Sequence, residues 1–386
     1  MAPQQDYEYI DSNAGLARFC AGIGEATYCV VDTEFIREST YYPELALIQI
    51  ASGDQLACID PLAITEFTPL AELLVKPDLL KVFHSSSQDL EILYQKFGAV
   101  PTPVFDTQLA AAVLGYNYQI SYADLVQQIT GVTLDKKHTR ANWLRRPLSL
   151  DELDYAMDDV RHLIAVYETL KQKLDSTRRS SWIEKDLLAM SDPENYQVDK
   201  SQLWRRLKGV LKLKDEKLQI ASDLCRWRED LAQKQNRPRR WITKDDALVE
   251  IARQKPEDFE ALAHIPELSE KTARRHGDEL VKIVAHAETV DSVQWPQHDK
   301  SRSLNKQQLA LGDCLMALCK KIADQNQIAL ATLATRKDID NLILNQKSSR
   351  LTQGWRFSMA GEQLLEYIHG QSAISVDNED LKLDPK

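Results

Sequence analysis

The sequence contains few cysteines, no long apolar run and no short-period repeat. No apolar run approaches the roughly 18 residues that span a membrane, and the opening stretch MAPQQDYEYI contains neither the basic nor the apolar region of a secretory signal. We therefore expect a cytoplasmic protein that has no membrane as partner. Because neither a long heptad run nor a large apolar patch indicates a dimer, we also expect a monomer.

The six cysteines are scattered along the chain, and none of them forms a CxxC pair. Such pairs are typical of structural zinc sites, so a zinc site of this kind is not expected. Four of the six lie in hydrophobic contexts, which favours buried free thiols in a reducing compartment. The residues are Cys20, Cys29, Cys58, Cys225, Cys314 and Cys319.

Length and charge indicate several domains with different surfaces. A chain of 386 residues with 43% hydrophobic and 27% charged residues is too long for one ordinary core, which predicts two or three globular domains. The net charge is −10, but residues 1–175 contain 13 basic and 25 acidic residues, whereas residues 204–290 contain 19 and 16. An acidic domain needs metal ions or local basic patches to bind nucleic acid, so net charge neither supports nor excludes that partner.

Hydrophobic periodicity predicts an α/β domain followed by helical domains. Short connections between the first three predicted strands favour an antiparallel arrangement, and after about residue 175 the strand signals stop. We predict a mixed sheet flanked by helices in residues 1–195 and all-α bundles in residues 203–290 and 300–372. The predicted strands are 28–36, 45–51, 55–60, 79–85 and a strand edge that opens 103–115. The predicted helices include 87–98, 121–131 and a long helix that begins near Ser149 with a capping-box pattern and continues through Leu170.

Two acids interrupt the first predicted strand, in the stretch VVDTEF. Strand side chains alternate between faces, so Asp32 and Glu34 point the same way. Two carboxylates on one face of an apolar strand repel each other and are costly to bury unpaired. A divalent cation would offset this cost.

Further acids and a tyrosine are placed to join this pair. Asp89 lies at the start of the helix after the fourth strand, and Tyr155 and Asp159 are four residues apart on one helix face. Asp154 and Asp158 fall on the outward side of that helix beside Arg161, where we expect solvent. Each feature alone is usually an ordinary surface feature or helix-end charge. Their order and placement within one domain favour a common site.

Four carboxylates beside a tyrosine predict metal-dependent phosphodiester chemistry. Carboxylate oxygens select hard cations such as Mg²⁺ or Mn²⁺. Two such ions about 4 Å apart can clamp both oxygens of an in-line phosphoryl displacement. Because an unperturbed tyrosine has a pKa near 10, its hydroxyl suits the orientation of the attacking water better than the role of an ionised base.

These motifs resemble those of the DEDD superfamily of 3′→5′ exonucleases. VDTEF, HSSSQDLEIL and YAMDD are similar to its three exonuclease motifs. The third motif reads Y-x3-D, as in the tyrosine subclass, whereas the histidine variant would need histidine where this chain has Asp154. FDTQLAA (105–111), WLRRPLS (143–149) and LDELDYAMDDV (150–160) resemble the ribonuclease D family more closely, and this resemblance covers residues 8–175.

The resemblance implies a ribonuclease H-like exonuclease fold and a site for two divalent ions, Mg²⁺ or Mn²⁺. Asp32 would bridge the ions, Glu34 and Asp159 would complete the shell of the catalytic ion, and Asp89 would act on the second ion. Tyr155 would orient the nucleophilic water. The implied activity is the release of 5′-mononucleotides from RNA 3′ ends, with precursor tRNA trailers as substrate.

Asp106 and His84 lie near these motifs. Asp106 matches a family position that is not a metal ligand, and we interpret it as a helix cap or a structural carboxylate. His84 precedes the second motif. It either lines the nucleotide pocket or is a core histidine with satisfied hydrogen bonds.

A basic loop precedes the long helix and contains Trp143. Cations interleaved with an aromatic ring are typical of a loop that follows a single-stranded backbone while stacking a base. The alternative is a solvated loop with Trp143 packed under the long helix. We expect phosphate contact from at least one of Arg145 and Arg146. The other basic residues of the loop are Lys136, Lys137, His138 and Arg140.

Residues 203–287 resemble the HRDC domain, a helical module shared by RecQ-type helicases and ribonuclease D. The matching features are WREDLAQKQNRP, ITKDDALVEIA and RRHGDEL, and residues 304–370 fit a second, more divergent copy. A charge run is more often a solvated face than a binding site, but the basic excess in residues 204–290 favours nucleic-acid binding. The expected apolar centre contains Trp227, Leu248, Ile251 and Leu262, and the candidate phosphate contacts are Arg237, Arg239, Arg240, Arg274 and Arg275.

Two alternatives to an exoribonuclease stay open at this point. The first is a single-strand DNA 3′→5′ exonuclease, because the metal motifs do not distinguish ribose from deoxyribose without a 2′-hydroxyl contact. The paired helical modules favour RNA over DNA. The second is a catalytically inert nucleic-acid-binding scaffold, which the complete set of acids argues against.

Overall fold

The computed structural model describes residues 6–135, 141–298 and 303–386. Of these, residues up to 34, from 45 to 193 and from 303 onward form one compact unit. Residues 35–44 and 194–298 form the other. Among the described residues, no helix combines the length and the apolar character needed to cross a membrane.

A mixed sheet forms the centre of the first unit. Its strands are β1 (Glu8–Ile10), β2 (Tyr28–Ile36), β3 (Glu44–Ser52), β4 (Gln55–Ile59), β5 (Leu80–Phe83) and β6 (Val104–Asp106). They follow the order β1-β4-β3-β2-β5-β6 across the sheet. β3 and β4 pair antiparallel, whereas β1 with β4, β2 with β5 and β5 with β6 pair parallel. The predicted mixed sheet is confirmed, and the short strand β1 adds to the strands predicted from the sequence.

In the described part of this unit, eight α-helices precede residue 193. They are α1 (Asn13–Ile23), α2 (Thr68–Val75), α3 (Ser87–Phe97), α4 (Thr107–Val113), α5 (Tyr122–Thr130), α6 (Leu150–Arg161), α7 (Leu163–Ser176) and α8 (Ser180–Met190). The structure confirms the ends predicted for two of these helices. Ser121 caps the start of α5, and Gly98 and Gly131, both in the left-handed conformation, end α3 and α5. Ser149 and Glu152 form the predicted capping box at the start of α6.

The prediction of one long helix from Ser149 through Leu170 is wrong in one respect, because the structure has two helices in this segment. The amide of His162 bonds the carbonyl of Val160 instead of continuing the α-helical pattern, so α6 ends at Arg161 and α7 begins at Leu163. No proline or glycine marks this joint in the sequence. Buried residues of both helices nevertheless belong to one hydrophobic core with the sheet.

Residues 303–386 have a hydrophobic core of their own within the first unit. Its helices are α14 (Lys306–Gln325), α15 (Leu330–Leu333), α16 (Arg336–Ile343), α17 (Gly354–Arg356) and α18 (Glu362–Ile368), with one π-helical turn at Phe357–Gly361. Trp355 stacks on Trp182 of α8 with ring centroids 4.5 Å apart. The strands β7 (Ser372–Asp377) and β8 (Asp380–Pro385) form an antiparallel hairpin. The expectation that strand signals stop after about residue 175 is therefore wrong. The two strands are short and carry many polar residues, which weakens their sequence signal, and among the described residues they pair only with each other.

The second unit is helical. It contains α9 (Asp215–Gln235), α10 (Arg239–Ile242), α11 (Asp245–Gln254), α12 (Phe259–Ala263) and α13 (Glu270–Ala287). The four residues predicted at its apolar centre, Trp227, Leu248, Ile251 and Leu262, are all buried. The segment 35–44 packs in this unit through Tyr41, whose hydroxyl donates to the buried carboxylate of Glu229.

Five of the six cysteines are buried free thiols, and Cys314 is exposed.

Candidate active site

Two acids of strand β2 and one acid of helix α6 converge in the first unit. Each of Asp32, Glu34 and Asp159 offers a carboxylate oxygen, and these atoms lie within 4.8 Å of one another. Alternation along β2 places Asp32 and Glu34 on one face. No other group of three potential metal ligands with this spacing occurs in the part of the chain that the structure describes. The structure therefore brings together acids that are more than a hundred positions apart in the sequence.

Asp89 lies beside this trio. It is in the first turn of α3, directly after β5, and its carboxylate accepts a hydrogen bond from the hydroxyl of Thr33. Its charge acts on Asp32, Glu34 and Asp159, where it raises each pKa. Asp89 is thus within electrostatic reach of all three carboxylates, although its oxygens do not belong to the tight group.

Burial is the main cause of unusual pKa values at all four acids. It raises the pKa of Asp32 well above the usual range, with further increases from Asp89, Asp159 and Glu34. Burial and the charges of Asp159 and Asp89 raise the pKa of Glu34 to about 8. Burial likewise raises the pKa of Asp89 and of Asp159 to about 7. Without a bound cation, the site favours partly protonated carboxyl groups at neutral pH.

The donor set fits a hard divalent cation. The neighbouring charges that raise these pKa values are those of other carboxylates. Among the described residues, no lysine or arginine forms an ion pair with any of the four acids. Buried carboxylates without a cationic partner are costly, and oxygen-only ligand sets select ions such as Mg²⁺ or Mn²⁺.

Tyr155 and Trp143 form an aromatic pair at the edge of this site. Tyr155 precedes Asp159 by one turn of α6, so the two side chains share a helix face. The rings of Trp143 and Tyr155 stack with centroids 6.2 Å apart and an angle of 27° between their planes. Trp143 is only 4% exposed. Of the two environments left open for this residue, its burial supports packing under helix α6 rather than the stacking of an RNA base.

Arg146 is bound entirely within the first unit. Two guanidinium nitrogens donate to the two carboxylate oxygens of Asp60, at 2.6 and 2.7 Å. The guanidinium also donates to the carbonyl oxygens of Ala46, Trp143 and Arg145. Five contacts match the five N–H donors of arginine, which leaves no donor for a phosphate. The expected phosphate contact is therefore not supported for Arg146.

Arg145 differs from Arg146 in its partner and in its exposure. One guanidinium nitrogen of Arg145 donates to both carboxylate oxygens of Glu152, but more than half of the arginine side chain is exposed. The expected phosphate contact stays a prediction for this residue. Lys136, Lys137, His138 and Arg140 of the same basic loop lie outside the described residues.

His84 and Asp106 have partners inside the domain. The two ring nitrogens of His84 lie 2.9 Å from the Thr107 hydroxyl and 3.2 Å from the Ile120 carbonyl oxygen, which supports the interpretation as a satisfied core histidine. Asp106 is the N-cap of α4 and also accepts hydrogen bonds from the amide and hydroxyl of Ser86. The interpretation of Asp106 as a helix cap agrees with these contacts.

Tyr122 is a neighbour of the site that the sequence analysis missed. Its hydroxyl donates to the carbonyl oxygen of Asp158 at 2.8 Å. Burial raises its pKa well above the usual value, and the charges of Asp159 and Asp32 raise it further. Its only sequence signal is a position just after the helix cap Ser121, which does not reveal what the ring faces. Asp158 lies beside Arg161 as expected and forms an ion pair with it, but the side chain is half-buried rather than fully solvated.

The candidate arginines of the second unit differ in their surroundings. Arg239 pairs with Glu229, which is 1% exposed, and its guanidinium lies over the ring of Tyr41. Arg274 pairs with Glu270 one helical turn away on the surface. Arg240 and Arg275 line a cavity of about 360 Å³. Three more cations line the same cavity, together with one acid, Glu267, and the exposed ring of Trp241. These cations are Arg237, Lys244 and Lys271.

Comparison with known proteins identifies both parts of the chain. Residues 7–175 match a family described as 3′-5′ exonuclease, and residues 217–284 match the HRDC domain family. The ribonuclease D of Granulibacter bethesdensis is 36% identical over 97% of this chain and 95% of its own length. The ribonuclease D of Sphingobium indicum is 36% identical over 98% of this chain and 99% of its own length.

A solved structure gives the same result at the level of the fold. The crystal structure of Escherichia coli RNase D, described as an exoribonuclease involved in structured RNA processing, superposes with a TM-score of 0.84 at 29% identity. The superposition covers 95% of this chain and 99% of that one. The resemblance predicted from the three acidic motifs is therefore confirmed. The chain belongs to the ribonuclease D family of 3′→5′ exoribonucleases.

Proposed function

We propose that this protein trims the 3′ ends of precursor tRNA, one nucleotide at a time, and releases 5′-mononucleotides. The observation that carries the proposal is the convergence of the carboxylate oxygens of Asp32, Glu34 and Asp159 to within 4.8 Å. Membership of the ribonuclease D family supports RNA as the substrate class. The description of the Escherichia coli relative as a processing enzyme for structured RNA supports a folded RNA with a free 3′ end.

Two divalent ions, Mg²⁺ or Mn²⁺, are the proposed cofactors. Asp32 has the other three acids as charged neighbours, which suits a ligand shared by both ions. Glu34 and Asp159 would complete the shell of the catalytic ion, and Asp89 would act on the second ion. When bound, such a pair stabilises charge on the phosphoryl oxygens and lowers the pKa of the attacking water.

Tyr155 is the proposed orienting residue for that water. A phenol hydroxyl can accept one hydrogen bond and donate another, so it can fix both the position and the direction of a water molecule. Its place one helical turn from Asp159 lets the two side chains act on the same side of the reacting phosphate. The role is orientation rather than proton abstraction, because the unperturbed pKa of tyrosine near 10 is far above neutral pH.

The helical unit is proposed to bind the body of the RNA through its basic cavity. This cavity is lined by five cations, including Arg240 and Arg275, and by one acid. None of the five cationic side chains has a hydrogen-bonded or ion-paired partner among the described residues. Phosphate groups would neutralise this excess of positive charge. We assign Arg239 a structural role beside Glu229. Trp143 and His84 are likewise assigned to packing beside the site, whereas Arg145 is kept as a phosphate contact.

Three further expectations belong to this proposal. Residues 1–195 would be the exonuclease domain, residues 203–290 the first HRDC domain, and residues 300–372 a second HRDC-like domain. The protein would act as a monomer. Its five buried free thiols are compatible with a reducing cytoplasm.

The experiment compares a 3′-extended tRNA transcript with a DNA oligonucleotide of the same 3′ sequence. Each is incubated with the protein in Mg²⁺ or in chelator and analysed on a denaturing gel. We expect metal-dependent shortening of the RNA, loss of shortening in Asp32→Asn, and RNA binding by that variant in a gel shift. Asp154→Asn is the matched control, because Asp154 is an exposed acid of the same helix α6, and it should trim normally.

Other outcomes would contradict the proposal. Binding of both nucleic acids without shortening of either would identify an inert scaffold. Shortening of the DNA alone would identify a DNA exonuclease. Loss of the folded state in Asp32→Asn, seen by circular dichroism, would point to a structural acid.

A further inference from the structure

The orientation of Tyr155 depends on what its ring contacts. Tyrosine can occupy several side-chain rotamers, so its hydroxyl stays at one point only where neighbours select one of them. The indole of Trp143 lies against this ring, with centroids 6.2 Å apart and planes inclined by 27°. Because Trp143 is 4% exposed, its own ring is fixed by the domain interior. The tryptophan thus presents a rigid surface to a residue at the edge of the acidic site.

The backbone of Trp143 is fixed by Arg146. A guanidinium nitrogen of Arg146 donates to the carbonyl oxygen of Trp143 at 2.7 Å, and the same nitrogen donates to the carbonyl of Arg145 at 2.8 Å. The amide of Trp143 donates to the carbonyl of Ala141 at 3.1 Å. The turn that carries the tryptophan is therefore hydrogen-bonded on both sides.

Arg146 is in turn fixed to the central sheet. Its fork meets both carboxylate oxygens of Asp60, which follows β4. The hydroxyl of Tyr9 in β1 donates to the same carboxylate at 2.6 Å, and Arg146 also donates to the carbonyl of Ala46 in β3. Bidentate arginine–carboxylate pairs are geometrically specific as well as strong. Three strands thus fix the position of the turn.

The same turn also fixes the start of the helix that carries Tyr155. Arg145 binds Glu152, and Glu152 closes the capping box with Ser149 at the first turn of α6. The position of helix α6 and that of the Trp143 ring therefore both depend on one short segment, residues 143–149. A displacement of this segment would move the aromatic pair as a whole.

We propose that Trp143 is a positioning residue for Tyr155: it restricts the tyrosine to the rotamer that orients the attacking water, and the Arg146–Asp60 pair fixes it in place. The inference rests on the role proposed above for Tyr155. Trp143 touches neither RNA nor metal in this role and acts only through the tyrosine. A displacement of about 1 Å in a group that orients a reactant can cost roughly 100-fold in rate, so loss of the indole should lower kcat markedly.

A double-mutant cycle on the full-length protein tests this coupling. Trp143→Leu, Trp143→Phe, Tyr155→Phe and the double variant Trp143→Leu/Tyr155→Phe are assayed with a 5′-labelled single-stranded oligoribonucleotide in Mg²⁺. We expect Trp143→Leu to lower kcat by about 10- to 100-fold with little change in KM. Trp143→Phe, which keeps an aromatic face, should lose less. In the Tyr155→Phe background, the change Trp143→Leu should have almost no further effect, because the hydroxyl it positions is already absent.

The outcomes separate this inference from the proposed function. If the unmodified protein does not shorten the oligoribonucleotide, the proposed function fails. If it does, but the effects of Trp143→Leu and Tyr155→Phe multiply, the positioning role is overturned. A raised KM with unchanged kcat would instead identify Trp143 as an RNA contact and also overturn it. Loss of the folded state in both Trp143 variants would make the residue a general stability element, with the same consequence for the inference.

Discussion

The metal-free protein should become less stable as pH rises, because its buried carboxyl groups must ionise. Burial raises the pKa of Glu34 to about 8 and those of Asp89 and Asp159 to about 7. In the unfolded chain these groups ionise near pH 4. The folded state therefore holds protons that the unfolded state has released, and the stability that this provides is lost as pH rises through the folded pKa values.

The magnitude follows from the displacement of these pKa values. Each pKa unit corresponds to about 1.4 kcal/mol of stability. Between about pH 5.5 and pH 8.5, Glu34 alone therefore accounts for a loss of roughly 3 kcal/mol, and Asp89 and Asp159 for a loss of roughly 2 kcal/mol each. The groups share their mutual repulsions, so these contributions do not add in full. We expect a total loss of about 3–5 kcal/mol, which lowers the melting temperature of a domain of this size by about 10 °C.

Thermal melts at the two pH values, in chelator and in millimolar Mn²⁺, measure this effect. In chelator the melting temperature should fall as pH rises, whereas Mn²⁺ should stabilise the protein most at the higher pH, because its ligands must be deprotonated. Asp159→Asn should reduce the pH dependence, and Asp154→Asn, at an exposed acid of the same helix, should leave it unchanged. Equal melting temperatures at both pH values in chelator, with no response to Mn²⁺, would refute the reasoning.

Two further predictions concern the sheet and the helical unit. Lys81 is fully buried on β5, its ammonium group donates to three backbone carbonyl oxygens, and burial lowers its pKa only to about 8, so it is charged at pH 7. Lys81→Met should lower the free energy of unfolding by about 3 kcal/mol in urea titrations because the carbonyls lose their donor; a change below about 0.5 kcal/mol would contradict this. The double variant Arg240→Gln/Arg275→Gln should weaken RNA binding and reduce the slope of log affinity against log salt by about two, whereas Arg274→Gln, at a residue already paired on the surface, should have a smaller effect. Equal losses from both variants would count against a specific role for the cavity.

Local rules were sufficient to predict which side chains of the acidic site share a face of one strand or helix, whereas the meeting of β2 and α6 was expected from the order of the motifs and the family resemblance. Period-two alternation places Asp32 and Glu34 on one face of β2, and helical periodicity places Tyr155 and Asp159 on one face of α6. Capping chemistry predicted the start of α6 at Ser149, and a glycine predicted the end of α3. These features depend on residues within one or two turns of each other, so the sequence carries them directly.

Features that depend on distant pairs were not predictable in this way. Arg146 meets Asp60 across 86 positions, which turned an expected phosphate contact into an internal anchor. Trp143 was correctly placed in a loop, but the sequence left two environments open for its ring, and burial against Tyr155 distinguishes them. Tyr122 is beside the acids only because α5 packs against α7 in the folded chain. The break between α6 and α7 at His162 was likewise not predictable, because neither proline nor glycine lies there.

Asp32, Glu34, Asp89 and Asp159 are expected to hold divalent ions together. Anomalous scattering from crystals soaked in Mn²⁺ would locate such ions. We expect one strong peak among the oxygens of Asp32, Glu34 and Asp159, and a second peak between Asp32 and Asp89. Crystals that show no peak at these four carboxylates, while Mn²⁺ occupies another part of the protein, would contradict this expectation.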